Sequence, residues 1–162
     1  METIICNTGP LIALAGIRRL DILKNLYTTI IVPIAVHQEL LSGGKFLTGL
    51  DEYRKVDWLR KTELKQPGDP LLSTLLDEGE SSVIHLALEL GISNILMDER
   101  KGRRIAREIY GMKVTGTARI FVEAKKANLI NSVKENLQEV CDNGYWIHDK
   151  IIQKTLKEAG ET

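Results

Sequence analysis

Hydrophobic and polar positions along the chain alternate between short apolar runs of strand character and longer stretches with helical spacing. Thr3 to Cys6 is a β-branched run that predicts a strand. Asn7, Thr8, Gly9 and Pro10 follow, and Pro10 suits the first turn of a helix, where its missing N–H costs nothing. Leu11, Ile12, Leu14 and Ala15 make that helix dense in apolar groups, so it reads as buried. Asp21 to Leu26 predicts a second short helix. Thr28 to Val32 is a strong β run stopped by Pro33. Pro33 opens a helix over IAVHQELLSGG, with Ile34, Val36, Leu40 and Leu41 at helical spacing and Gly43-Gly44 as its end. Residues 45–75 are less regular. They carry Leu47, Tyr53, Val56, Trp58 and Leu59, then the turn signal QPGDP, and Trp58-Leu59 reads as a short strand.

The second half is clearer. LLDEGESSVIHLALELG is a heavily apolar helix ending before Gly91, and Asn94 to Met97 is the next strand, followed directly by Asp98. Glu99 to Tyr110 is a basic amphipathic helix with Gly111 at its C-terminus. Lys113-Val114 is a brief strand, and Thr115-Gly116-Thr117 opens a helix through Lys126. Val133 to Val140 is helical, Tyr145-Trp146-Ile147 reads as a last strand, and Asp149 to Glu158 as a last helix. Strands alternating with helices from end to end predict an α/β fold with a central parallel sheet flanked by helices on both faces. In such sheets, sites form outside the carboxyl ends of the strands. That rule selects Asn7 and Asp98.

Composition narrows the class. At 162 residues the chain reads as a single domain over 1–162, with 43% hydrophobic and 27% charged residues, as in soluble globular proteins. Basic and acidic side chains balance at 22 each, so any attraction to nucleic acid must come from a local patch. Cys6 and Cys141 do not form a disulfide framework and read as free thiols in a reducing cytoplasm. No leader is recognised and no apolar run approaches a membrane span, so a cytoplasmic protein without a membrane partner is expected.

Two further acids stand out by context. Glu39 lies in an otherwise apolar helix, and Glu80 in the first turn of the LALELG helix. Each has an ordinary explanation. Glu39 suits a solvated helix position, Glu80 a helix N-terminus, and Asp98 a cap for the helix after it. Only the set argues for chemistry.

Several segments together carry a resemblance: NTGPLIALAGIRRLDIL, IIVPIAVHQEL, LLDEGESSVIHLALELG, ILMDERKGRRIA, VTGT before a helix, and the closing GYWIHDKIIQKTLKEAGE. In order and spacing the sequence resembles a PIN domain, specifically the small prokaryotic group similar to the toxin halves of toxin–antitoxin pairs. The strand and helix over 145–159 match as an extension typical of that group. The resemblance implies a three-layer PIN-like fold and a metal-dependent ribonuclease that hydrolyses RNA phosphodiesters endonucleolytically. It implies a site of acids from separate parts of the chain, falling here on Asn7, Glu39, Glu80 and Asp98, with Glu99 as the register alternative. Thr8 matches the hydroxyl after the first acid, and Thr115 and Thr117 match polar residues at the start of the late helix. A small antitoxin protein that masks the site, and a homodimer, are implied as partners.

Clustered oxygens are what Mg²⁺ or Mn²⁺ prefers, and a like-charged cluster is readily explained by a cation. Such a metal polarises a phosphoryl oxygen and supplies a hydroxide-like water. Asn7 departs from the pattern. Its amide oxygen can ligate but is neutral, leaving the site one negative charge short. Asp77, Glu78 or Glu99 could restore that charge. Asn7 also has a plain alternative role, capping the helix that starts near Pro10.

The run RKGRR supplies Arg100, Lys101, Arg103 and Arg104, with Arg107 beyond, directly after Asp98. It reads as a phosphate-tracking patch, which Arg119, Lys125 and Lys126 could extend, or as a solvated helix face, the commoner meaning of such a run. His37, His85 and His148 share no metal spacing. No phosphate-loop, dinucleotide or nucleophile-elbow motif occurs. Two other functions fit less of the sequence. One is a catalytically weakened PIN-like module that binds RNA or a protein. The other is a flavodoxin-like domain that binds a nucleotide or phosphate at the end of the first strand.

Overall fold

The apolar run Thr3–Cys6 forms β1, the central strand of the computed structural model, which describes residues 2–43 and 49–162. Ile4, Ile5 and Cys6 are fully buried, as expected for a strand covered on both faces of a parallel sheet. The helices α1 (Thr8–Gly16) and α2 (Asp21–Leu26) follow. Then come β2 (Thr29–Pro33), α3 (Ile34–Ser42), α4 (Leu50–Lys55) and β3 (Leu59–Thr62). After α5 (Pro70–Leu75) and α6 (Glu78–Leu90), the chain enters β4 (Asn94–Leu96), α7 (Arg100–Glu108) and β5 (Lys113–Thr115). It closes with α8 (Thr117–Lys126), α9 (Val133–Asp142) and α10 (Asp149–Glu158).

All strand pairs are parallel, in the order β3-β2-β1-β4-β5. The chain first builds outward from β1 through β2 to β3, then crosses to the other side of β1 for β4 and β5. The order therefore reverses between β1 and β4, which is where an open α/β sheet leaves a crevice at its carboxyl edge. β1 and β4 are held in register there by Ile5 opposite Ile95 and Cys6 opposite Leu96, and the Asn7 N–H donates to the Leu96 carbonyl at 2.9 Å. Asn7 and Asp98 thus leave adjacent strands at the crevice. The core is mostly aliphatic, with Leu11, Leu14, Val32, Val83, Ile84, Leu86, Leu96 and Ile120 fully buried beside the aromatic Phe121. The edge strand β3 exposes Arg60 and Lys61, charges that discourage further strand pairing.

Local chemistry explains the ends of several elements. Asp77 and Glu80 form a reciprocal capping box at the start of α6. Gly91 ends α6 at φ 67°, a left-handed conformation in which its N–H reaches the last turn. Glu99, not Asp98, caps α7, its carboxylate accepting the Lys101 N–H at 3.1 Å. Asp69 caps α5, with Pro70 in the first turn.

Three expectations need correction. Tyr145-Trp146-Ile147 forms no strand and instead runs as a loop over 145–148, with the Tyr145 hydroxyl bonded to Asp98. Residues 45–75, read as irregular, contain α4 and α5, whose six residues each are too short for an apolar period to show. Asn7 occupies the cap position of α1, but its side chain makes no capping hydrogen bond. Gly44 and Leu47 lie outside the described residues. Both thiols are free, as expected. Among the described residues, no helix is long and apolar enough to cross a membrane.

Candidate functional site

Asn7 is only 7% exposed, and its Oδ1 atom is buried without a hydrogen-bond partner. A buried amide oxygen left unpaired costs on the order of 1–3 kcal/mol, so its surroundings need an explanation. They are supplied by α3 and α6. Gly79, in the first turn of α6, lies against the Asn7 amide. A Cβ placed there would sit 2.6 Å from Glu39 Oε2, 3.5 Å from Asn7 Oδ1 and 3.6 Å from Asp77 Oδ1. The bare glycine is thus the floor of a cradle lined by three oxygens from three elements. Thr8 fixes one of them, its hydroxyl donating to Glu39 Oε2 at 2.9 Å.

Glu80 takes a different place from the one expected of it. Its carboxylate turns back to accept the Asp77 N–H at 3.4 Å, while Asp77 Oδ1 accepts the Glu80 N–H at 2.8 Å. Burial pushes the Glu80 carboxyl up to about 7, and the neighbouring charge of Asp77 adds to the effect, with Glu99 contributing further. Asp77, three residues earlier, has the oxygen that faces the cradle. Sequence reasoning named Asp77 as a source of spare charge. It could not choose between two acids in the same turn.

Asp98 stands at the end of β4 and is tightly held. Its Oδ1 accepts the Thr117 N–H at 2.7 Å, and its Oδ2 accepts the Thr117 hydroxyl at 2.6 Å. The Tyr145 hydroxyl also donates to Oδ2. Burial, and then the charge of Asp98, raise the Tyr145 hydroxyl pKa, so Tyr145 stays protonated as a donor. Gly9 makes room for it, since a Cβ there would lie 2.6 Å from the Tyr145 hydroxyl and 3.8 Å from Asp98 Oδ2. Gly116 does the same on the other side. A Cβ on it would lie 3.0 Å from Asp98 Oδ1 and 2.9 Å from Arg103 Nη1. No local pattern marks Tyr145 as a site residue, because it lies 47 residues from its partner Asp98.

The remaining nominated residues divide. Arg103 is half-buried and donates to the Met97 carbonyl at 2.8 Å, which turns it toward the sheet edge and away from the outer helix face. Arg104 pairs with Glu108 along α7. Arg100, Lys101 and Arg107 are exposed and make no ion pair with a described residue. Thr115 bonds the Tyr27 hydroxyl, whereas Thr117 belongs to the Asp98 cluster. Arg119, Lys125 and Lys126 are paired with Glu123, Glu158 and Glu161, so they do not extend a free basic patch.

Among the described residues, no three Asp, Glu, His or Cys side chains lie close enough to share a metal ion. The acids instead form two groups on either side of the β1–β4 junction. One is Asn7, Glu39 and Asp77 over Gly79, and the other is Asp98 with Thr117 and Tyr145. The first group fits a hard cation in its chemistry. All its donors are oxygens, two are carboxylates, and the third is an orphaned amide oxygen that a cation would satisfy.

The model of one family, the PIN domain, matches residues 3–161. The chain belongs to the PIN-domain family. Comparison with curated proteins and with solved structures gives no match. The all-parallel sheet and flanking helices are those of a PIN-like fold, and the family places the chain among folds of the nuclease type.

Proposed function

We propose that this PIN domain is an Mg²⁺- or Mn²⁺-dependent ribonuclease whose site lies where β1 and β4 end. The observation that carries the reading is the buried, unpartnered Asn7 Oδ1 beside Glu39 and Asp77. Those three residues would hold the cation, with Asp98 across the junction. When bound, such a cation polarises a phosphoryl oxygen and lowers the pKa of a coordinated water. The chain's own residues supply the positioning. Thr8 fixes Glu39, and Thr117 and Tyr145 fix Asp98. Arg103, beside Asp98 at Gly116, places a positive charge at the edge where a phosphate would arrive.

The test is cleavage of single-stranded RNA with Mn²⁺ by the wild type, Asp98→Ala and Glu39→Gln. The expected result is cleavage by the wild type and a loss of about 100-fold or more in each variant. Equal rates in all three, or no cleavage by the wild type, would end the nuclease reading. The toxin role belongs to the same proposal, with a small partner protein that masks the site and a homodimer as the working form. Suppression of cleavage by a small protein encoded beside it would support that role.

One observation favours a second reading, a weakened module that binds RNA or a protein without cutting. Asn7 is neutral, and Asp98 already accepts three hydrogen bonds within the protein. RNA binding without Mn²⁺-dependent cleavage is the outcome that selects it.

A further inference from the structure

Trp146 is 78% exposed, more than any other large apolar side chain described. Exposure of one apolar residue means little alone. Two facts separate this one. Its chain neighbour Tyr145 is bonded to Asp98, so the indole projects from a loop anchored on the candidate site itself. The ring is also held in place. It meets His148 edge-to-face, with centroids 5.7 Å apart and planes at 71°. His148 is fixed in turn, its Nδ1 accepting the Lys150 N–H at 3.0 Å as the cap of α10. The Tyr145 N–H donates to the Val140 carbonyl at 3.2 Å, which ties the loop back to α9.

We infer that Trp146 is a stacking platform for an unpaired base of the RNA bound at this site. The inference rests on the ribonuclease reading and adds its substrate class: single-stranded RNA, engaged by a base next to the phosphate at the β1–β4 edge. An exposed indole offers a π-face that any unpaired base can use, and a duplex offers it none, since its bases are already stacked. The surroundings favour RNA over a protein partner. The chain on either side of Trp146 is polar, with Asp142, Asn143, His148, Asp149 and Lys150 all exposed. Ile151, five positions on, is the next exposed aliphatic residue of this segment, and a single such side chain falls short of the contiguous apolar patch of a protein interface. Arg100 and Lys101, which begin the helix after Asp98, are exposed cations suited to the flanking phosphates.

The test measures binding of a short fluorescein-labelled single-stranded RNA by anisotropy, in EDTA so that no cleavage intervenes. The full chain is compared with Trp146→Ala and Trp146→Phe, and a duplex of the same sequence serves as reference. Trp146→Ala is expected to weaken single-strand binding by about 5- to 150-fold, the range of one lost base stack. Trp146→Phe keeps most of the affinity, and duplex binding does not change. Equal single-strand affinities for wild type and Trp146→Ala overturn the platform and leave the ring to a protein contact. An equal loss for single strand and duplex overturns it too, because stacking would not act on both. The Mn²⁺ assay separates this inference from the reading beneath it. Cleavage abolished by Asp98→Ala, with binding untouched by Trp146→Ala, removes the platform and keeps the nuclease. Stacking loss in Trp146→Ala without any cleavage removes the nuclease and keeps the platform.

Discussion

Asn7 carries the most information of any single residue in this chain. Its amide sits where the resemblance expects a carboxylate, and its oxygen is buried without a partner. Changing Asn7→Asp adds a charge beside Glu39 and Asp77. Calorimetry should show Mn²⁺ affinity rising by about tenfold or more, because a carboxylate binds a hard cation better than an amide. In EDTA the same variant should melt lower than wild type, because a carboxylate buried at position 7 would face the exposed acids Glu39 and Asp77, and Mn²⁺ should reverse the loss. Unchanged affinity would remove Asn7 from the cation site. Glu80 makes a second prediction. Its carboxyl is raised from 4.5 to about 7, so the folded protein keeps a proton that the unfolded chain has lost. The stability it contributes is therefore present below pH 4.5 and fades as pH rises to about 7. Partial exposure screens the effect to ~1 kcal/mol or less. Glu80→Gln should flatten that part of the stability profile in metal-free urea titrations, whereas an unaltered profile would assign it to other groups.

At the scale of elements, one side chain gathers much of the polar bonding that ties the C-terminal segment to α8 and α9. Glu161 accepts the Val133 and Lys134 N–H groups at the start of α9, the Ser132 hydroxyl, and the Lys125 ammonium. Burial alone would raise its carboxyl pKa. The Lys125 charge and these hydrogen bonds outweigh burial and hold it down at about 2. The stability this gives is present above pH 4.5 and lost as pH falls towards 2. Glu161→Ala should cost about 2 kcal/mol and lower Tm by roughly 4–8 °C, since it leaves helix N–H groups unpaired. A melting curve at neutral pH checks this, and a shift below about 1 °C would mean the segment is held elsewhere. The same segment delivers Tyr145 to Asp98, so α9 and α10 serve the site without contributing an acid to it. The helix α7 shows the limit of reading charge from sequence. RKGRR is one basic run on paper, but its members point to a carbonyl, to Glu108 and to solvent.

Over the whole molecule, acids and bases balance at 22 each, and several cations near α8 are paired. Long-range attraction for RNA is therefore weak, and affinity falls to a few contacts. If Arg100, Lys101 and Arg107 carry them, log affinity against log salt should have a slope of about −2, by counterion release from a single strand. A slope several times steeper would reveal a basic surface that neither the sequence nor the fold displays.

Sequence and tertiary structure divided the molecule between them along a physical line. Most of the strands and helices are local matters of apolar period and β-branching, and these were legible residue by residue, whereas the caps were not: Glu99 and not Asp98 caps α7, and Asn7 makes no capping bond. The alternation that makes the sheet parallel was legible too, and with it the placing of Asn7 and Asp98 after β1 and β4. The resemblance to a PIN domain followed from the same segments, and the match over residues 3–161 bears out that family. What the sequence could not decide was direction. Asp77 and Glu80 lie in one turn of α6, and only the packing of Gly79 against Asn7 and Glu39 turns Asp77 to the cradle while the capping box takes Glu80. Tyr145 reaches Asp98 across 47 residues, a contact set by how α9 packs on α8 and α1 and not by any local pattern. Periodicity fixes where a side chain starts, but the oxygen it offers to a site depends on neighbours brought there by the rest of the chain.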